Sequence, residues 1–451
     1  MPRPYWCLFA FALALGADWK AGVAKVAITP RKPLCMVGFG ARTKLSEGSV
    51  HDLYAKALAL EDRSGRPAVL VTTDLVGFNA ALARNIAYQA EKQYRLSRDR
   101  LMLNSSHTHS GPALTNPIVF WGSSCTNPEQ WRDVEEYTRE VEGKVVAVIG
   151  AALKDLRPAR LSFGRTQVGF AVNRRRMTEK GIVSFVPNPD GPVDLDVPLL
   201  RVDSERGRLR GVVFGYACHA SAVLAQVYQF NGDYPGFAQQ WLEERHPDAV
   251  AFFLAGCGGD IMAHPRGTVE HARNYGETLA AAVDKAMGES LASLRNPLIP
   301  AFEVFPVAFA RPPSRAELER RLQDKDPAVR RHAQELLKML DQHGRLPADY
   351  PFPLQVWQFG QDLTLIALAG EPVVDYALRL KRELGAERSW VAGYSNDVFA
   401  YIPSLRVLQE GGYEGGGATI GARLPGPFAP SVEETIVGKV HELVARVRSK
   451  K

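Results

Sequence analysis

The spacing of apolar and polar positions divides the chain into short β-branched runs and longer amphipathic ones. "VAKVAITP" (23–30) and "AVLVTTDL" (68–75) are rich in β-branched residues and bounded by Pro, Gly or Asp, which predicts strands. Helical spacing follows over 80–97, and "RLMLNSSHTH" (100–109) returns to a strand. A long amphipathic helix is predicted over 127–155. "RLRGVVFGYACHAS" (208–221) and "DAVAFFLAGCGGD" (248–260) are strongly apolar strands ending in small residues, with helices expected after them at 236–245 and 269–287. Residues 313–343 are charged and helical and predict a surface insertion; "LTLIALAGEP" (363–372) reads as a strand and 431–450 as a closing helix. Strands alternating with helices argue for an α/β fold, with sheets covered by helices in one large domain.

Composition changes this picture little. Apolar residues make up 46% and charged residues 23% of 451, ordinary values for a soluble globular chain. Lys plus Arg number 55 against 49 Asp plus Glu, with no dense basic block interleaved with aromatics, so nucleic acid is not an expected partner. At the N-terminus Arg3 precedes an apolar run from Tyr5 to Leu15, then Gly16 and Ala17. That run is too short to span a bilayer and predicts a signal peptide over 1–17, leaving 18–451 as an exported, soluble chain. Cys35, Cys125, Cys218 and Cys257 would remain; four thiols allow three pairings, and no C-x-x-C pair suggests a cysteine zinc site.

Histidine placement carries the chemistry. On an extended strand His107 and His109 share a face, and Gly111-Pro112 ends the strand beside them. Two imidazoles at a strand end are half of a metal site, or two hydrogen-bonded polar residues. His219, closing another apolar strand, strengthens the first reading, although a core histidine bonded to backbone would also fit. Catalytic zinc takes three protein ligands with a carboxylate as a common partner. Glu371 supplies one at the end of "LIALAGE", where a helix-start carboxylate is the plainer alternative.

"SSHTHSGP" resembles the signature of the neutral ceramidases, zinc amidases that release a fatty acid from the sphingoid base of ceramide. "ACHAS", "GCGGDIMAHP", "AGEP", "YSNDVFAYIP" and "GGYEGGG" follow in that family's order. The resemblance implies a ceramidase-like catalytic domain of mixed β-sheets flanked by helices. It implies Zn2+ held by His107, His219, Glu371 and Tyr401. His109 would stand outside the ligands and hand a proton to the leaving amine. Arg174 in "VNRRR" would bind near the substrate oxygen, and Tyr413 in "GYEGG" would face the developing oxyanion. For Arg174 a solvated basic loop is the competing reading.

One position departs from the family. Its members carry a serine in "GDVSPN", and here the run is "GDIMAH", with Met262 where that serine would stand. A thioether neither attacks a carbonyl nor donates a hydrogen bond, so a metal-activated water is the expected nucleophile. Asp260 is expected to order this loop, and His264 to be a surface residue. The resemblance covers the catalytic domain, and a counterpart of the ceramidases' C-terminal β-sandwich domain is not expected after the helix at 431–450. The expected substrate is therefore a small or lipid-like N-acyl compound; "TNPIVFWGSSC" could line an apolar acyl pocket, touch a membrane peripherally or be an ordinary buried turn, and the oligomeric state is left open. Two other classes compete: a barrel-type amidohydrolase, which also uses His-x-His, and a secreted lipid- or glycan-binding protein with a relic site.

Overall fold

Alternate residues of single strands explain the layering. In the strand Tyr54–Glu61, Ala55, Ala57 and Ala59 pack with the helices Ala80–Tyr94 and Pro128–Lys154. Leu58 and Leu60 point the other way, into a core shared with Trp357, Phe359 and Leu365 of a second sheet. The strand Leu209–Tyr216 repeats the division, with Val212, Phe214 and Tyr216 against the helices Asp233–Arg245 and Val269–Met287, and Val213 between the sheets. The second sheet in turn gives Phe352, Leu354 and Val356 to the helices Val374–Leu384 and Val432–Arg448. The result is four layers, helix–sheet–sheet–helix. This computed structural model describes residues 18–115 and 123–449; the expected signal peptide and most of "TNPIVFWGSSC" lie outside them.

The larger sheet runs in the order Val250–Ala255, Leu209–Tyr216, Asp196–Ser204, Arg157–Gln167, Trp19–Ala27, Tyr54–Glu61, Pro67–Thr73, Leu101–Ser105. Neighbours are antiparallel except at the two ends, where 250–255 runs parallel to 209–216 and 67–73 parallel to 101–105. The second sheet, Leu298–Ala308, Asp349–Phe359, Leu363–Leu368 and Ser389–Ala392, also closes on a parallel pair. An antiparallel majority of this kind excludes the all-parallel barrel of the amidohydrolases. The charged stretch expected as one helical insertion forms two helices, Arg315–Arg321 and Pro327–His343, around a small core of Leu318, Ala333, Leu336 and Leu346. Among the described residues no helix is long and apolar enough to cross a membrane.

Asn104 joins the parallel ends. Its Oδ1 accepts from the Ala255 N–H at 3.0 Å, and its Nδ2 donates to Gly393 O at 2.8 Å and Ser395 Oγ at 3.0 Å. One buried amide thus ties both edge strands of the large sheet to the loop that leaves the small one. Asn104→Ala would leave the buried Ala255 N–H unpaired, while Gly393 O keeps Ser395 Oγ as a donor. We expect the variant to lose ~1–3 kcal/mol of unfolding free energy in denaturant titration.

Candidate metal centre

His107, His109, His219 and Glu371 each follow the carboxyl end of a strand in one of these parallel pairs, the usual place for a site in open α/β sheets. His107 does not sit on its strand, as the sequence suggested. The strand ends at Ser105, and His107 is in the left-handed region with φ +60°. The two-residue period of an extended strand therefore does not align His107 with His109. A backbone reversal does, with His107 N donating to Leu75 O and His109 N to Ala220 O, both at 3.0 Å. The outcome is nonetheless a pair, Nε2 to Nε2 at 3.1 Å.

His219 arrives from the other parallel edge, three residues past its strand, and bridges Met262 through the backbone. The ring nitrogens of His107, His109 and His219 lie within 4.8 Å of one another, a cluster that could hold a metal ion. Glu371 completes it, with Oε2 3.0 Å from His107 Nε2 and 2.9 Å from His219 Nε2. The short strand Glu371–Pro372 pairs in parallel with Tyr401–Ile402, so Glu371 and Tyr401 are direct register partners. Gly259 permits this approach, because a Cβ there would meet Glu371 O at 2.5 Å and Pro372 O at 2.9 Å.

Tautomers follow from the hydrogen bonds. His107 Nδ1 lies 2.6 Å from Val76 O and His219 Nδ1 2.6 Å from Gly258 O. A carbonyl only accepts, so both Nδ1 atoms carry a proton, and a ring without a second proton turns an Nε2 lone pair toward Glu371. Burial, then Arg174, lowers His219 to about 4, which keeps it neutral. Burial pushes the Glu371 carboxyl up, and only a proton or positive charge facing it from the histidine side holds it low. Beside rings that keep their single proton on Nδ1, an ionised Glu371 faces lone pairs with lone pairs. A cation satisfies all three at once. Both Glu371 oxygens, His109 Nδ1 and the hydroxyls of Ser106, Ser110 and Ser221 are buried without a hydrogen-bond partner, and all come from the segments bearing these ligating groups. Two nitrogens and a carboxylate oxygen suit zinc.

Arg174 and the tyrosines form the next layer. Arg174 is buried on the strand Ala171–Thr178, contrary to the solvated-loop alternative. Burial disfavours its charge, but Tyr401 and Glu414 more than offset that and keep it protonated. Its Nη2 donates to Tyr401 Oη at 3.0 Å, and Tyr401 Oη lies 3.3 Å from His219 Nε2. Burial, then Glu371, raises the Tyr401 phenol well above its ordinary value, so it stays neutral. The Tyr413 ring meets the Tyr401 ring at 5.3 Å. Asp260 orders its loop as expected, accepting from Val374 N at 2.8 Å and Asn173 Nδ2 at 3.0 Å. Met262 is buried and His264 exposed.

Sequence reasoning passed over Glu414 and Tyr394. Glu414 receives Arg174 Nε at 2.8 Å and Arg175 Nη1 at 2.9 Å, anchoring the glycine-rich loop to the strand. Consecutive arginines on a strand are the signal that could have found it. Tyr394, at φ +49°, packs on His107 with ring centroids 4.5 Å apart. Behind His109, a Cβ at Gly38 would touch its Cα at 2.7 Å, and Cys35, three residues earlier, is disulfide-bonded to Cys125. Of the three possible pairings this one forms, while Cys218 and Cys257 are free and buried.

A helix–sheet–sheet–helix fold ending in buried histidines and a carboxylate defines a candidate metallohydrolase. Residues 19–289 match the family model for the N-terminal part of neutral/alkaline non-lysosomal ceramidases, and the chain belongs to that family. It is 22% identical over 252 residues to neutral ceramidase A of Dictyostelium discoideum, across 51% of this chain and 34% of that protein. The match thus spans about a third of that relative's length. The crystal structure of neutral ceramidase from Pseudomonas aeruginosa superposes with a TM-score of 0.76 at 19% identity, covering 96% of this chain and 75% of that one. A ceramidase complexed with C2 gives 0.73 at 18% identity, covering 96% and 76%. These structures share the fold.

Replacing the charge at the centre should separate metal binding from folding. We expect Glu371→Gln to melt at a higher temperature than the parent in chelator, because a buried unpaired charge is removed. Adding zinc should raise the parent's melting temperature and leave the variant's unchanged.

Proposed function

We propose that this protein is a zinc-dependent amidase that cleaves the N-acyl bond of a lipid-like substrate. The observation that carries the reading is Glu371, buried and within 3.0 Å of two imidazoles whose other nitrogens are tied to carbonyls. Histidines that bind metals usually fix their second nitrogen in this way. His109 does not: its Nδ1 has no hydrogen-bond partner. We therefore assign His107, His219, Glu371 and Tyr401 as ligands, and His109 as a proton carrier. Zinc bound there would supply Lewis acidity, lowering the pKa of a water toward ~7 and polarising a carbonyl.

The chain's own groups supply the rest. Arg174 and Tyr413 offer charge and a phenol to an oxygen gaining negative charge, and both are positioned before substrate arrives. His109 lies 3.1 Å from His107, Nε2 to Nε2. Burial, then the neighbouring rings and arginines, push it well below its ordinary value, so it rests neutral. It would first accept a proton before handing one to the departing nitrogen, which a poor leaving group requires. Met262 offers no nucleophile, so no acyl-enzyme forms at that position. The Cys35–Cys125 bond supports an oxidising compartment for the folded chain.

A metal-replete hydrolysis screen over ceramides, N-acyl amino acids and short-chain N-acyl amines tests the activity; turnover of none of them would overturn it. Within it, Arg174→Gln should lower kcat by ~10²–10³-fold, the scale seen when one oxyanion donor is lost. His109→Ala should retain stoichiometric zinc by elemental analysis while losing turnover, whereas Glu371→Ala should lose both. Retained zinc in Glu371→Ala would remove it from the ligand set.

A further inference from the structure

Exposed large apolar side chains are few and gathered in one place. Of the six among the described residues, Met177 (58% exposed), Val183 (42%), Phe185 (45%) and Tyr413 (36%) lie on the hairpin of strands Ala171–Thr178 and Gly181–Asn188 or on the loop packed against it. Clustered apolar exposure on a soluble protein marks a contact surface, whereas scattered exposure means nothing. This cluster begins at the metal centre. Phe185 lies over the Arg174 guanidinium at 4.8 Å and against the Tyr413 ring at 5.0 Å. Arg174 in turn donates to Tyr401 Oη, which stands beside His219. One guanidinium therefore separates Phe185 from the proposed ligands.

Phe185 also holds an unfavourable backbone. Its φ is +65°, in the left-handed region that a bulky side chain rarely adopts. The hairpin register shifts between Asn173 and Arg175, opposite this part of the second strand. A glycine would relieve the strain, and a residue one place earlier or later on the strand would face elsewhere. The backbone thus accepts strain while presenting a half-exposed aromatic ring beside Arg174 and Tyr413. Backbone strain held at a half-exposed ring beside a candidate site is what a ligand-contacting position shows.

We infer that Phe185, beside the Tyr413 ring, is the surface on which this protein receives the hydrocarbon chain of its substrate, and so sets its chain-length preference. The inference rests on the amidase reading for the identity of the head group, since Arg174 beneath the ring would meet the carbonyl while the chain leaves over Phe185. It requires no bound metal.

Two measurements separate it from that reading. Calorimetry with the sodium salts of octanoate, laurate and palmitate, below their micelle concentrations, reads chain recognition without turnover. In the parent, affinity should rise with length; in Phe185→Ala and Phe185→Gly that rise should flatten, with palmitate bound about tenfold more weakly. With N-acetyl and N-palmitoyl fluorogenic amides, the variants should raise KM about tenfold for palmitoyl and under about twofold for acetyl. Phe185→Gly should melt at or above the parent's temperature, which keeps misfolding from imitating the effect. Equal chain-length dependence in parent and variants, in calorimetry, would overturn the inference. Flattened binding with no hydrolysis by the parent would sustain it and overturn the amidase reading.

Discussion

A buried carboxylate facing two imidazole lone pairs governs the arrangement of this protein. Glu371 has no exposure to water, and the nitrogens opposite it are held in the wrong tautomer to donate. Left alone, such a group is among the costliest a fold can bury. The surrounding architecture is organised around keeping it there. The two sheets end their parallel pairs at the same place, Asn104 links those ends, and Gly258 and Gly259 let two backbones close to within contact of Glu371 and His219. A cation is the partner that would offset this cost, and the three histidines beside Glu371 could hold one.

Around that centre the charges are graded rather than merely paired. Arg174 sits between Tyr401 and Glu414, so one guanidinium serves both the centre and the loop carrying Tyr413. Glu414 also holds Arg175 and Ser184, which fixes the loop to the exposed hairpin. Positioning of a phenol, a guanidinium and an apolar rim therefore depends on a single buried acid. Removing it would loosen all three together, which makes their separate contributions coupled rather than additive.

Much of this was legible in the residues. The apolar runs at 209–216 and 250–255 read as strands and carry part of the layering, whereas Tyr54–Glu61, buried along nearly its whole length, gives no half-polar pattern to read. His107, His219, Glu371 and Tyr401 were named from motifs and converge in space. What patterning could not supply was conformation without period. The left-handed turn at His107 and the short pairing of Glu371 with Tyr401 arise from tertiary contacts, and two-residue strands carry no alternation to read. Glu414 and Asn104 act across more than two hundred residues of sequence, where no local rule reaches.

The Cys35–Cys125 bond has a reach beyond stability. Three residues along from Cys35, the backbone of Gly38 forms the wall against which the His109 ring rests, and Met36 and Val37 between them pair with Ser124 and Ser123 beside Cys125. The crosslink therefore pins the strip of chain that backs His109. With the two sulfurs reduced, that strip would be tethered only by a few hydrogen bonds, so the ring would be held less firmly under reducing conditions than under oxidising ones. The redox state of two distant thiols is thus coupled to the placement of a histidine at the candidate centre.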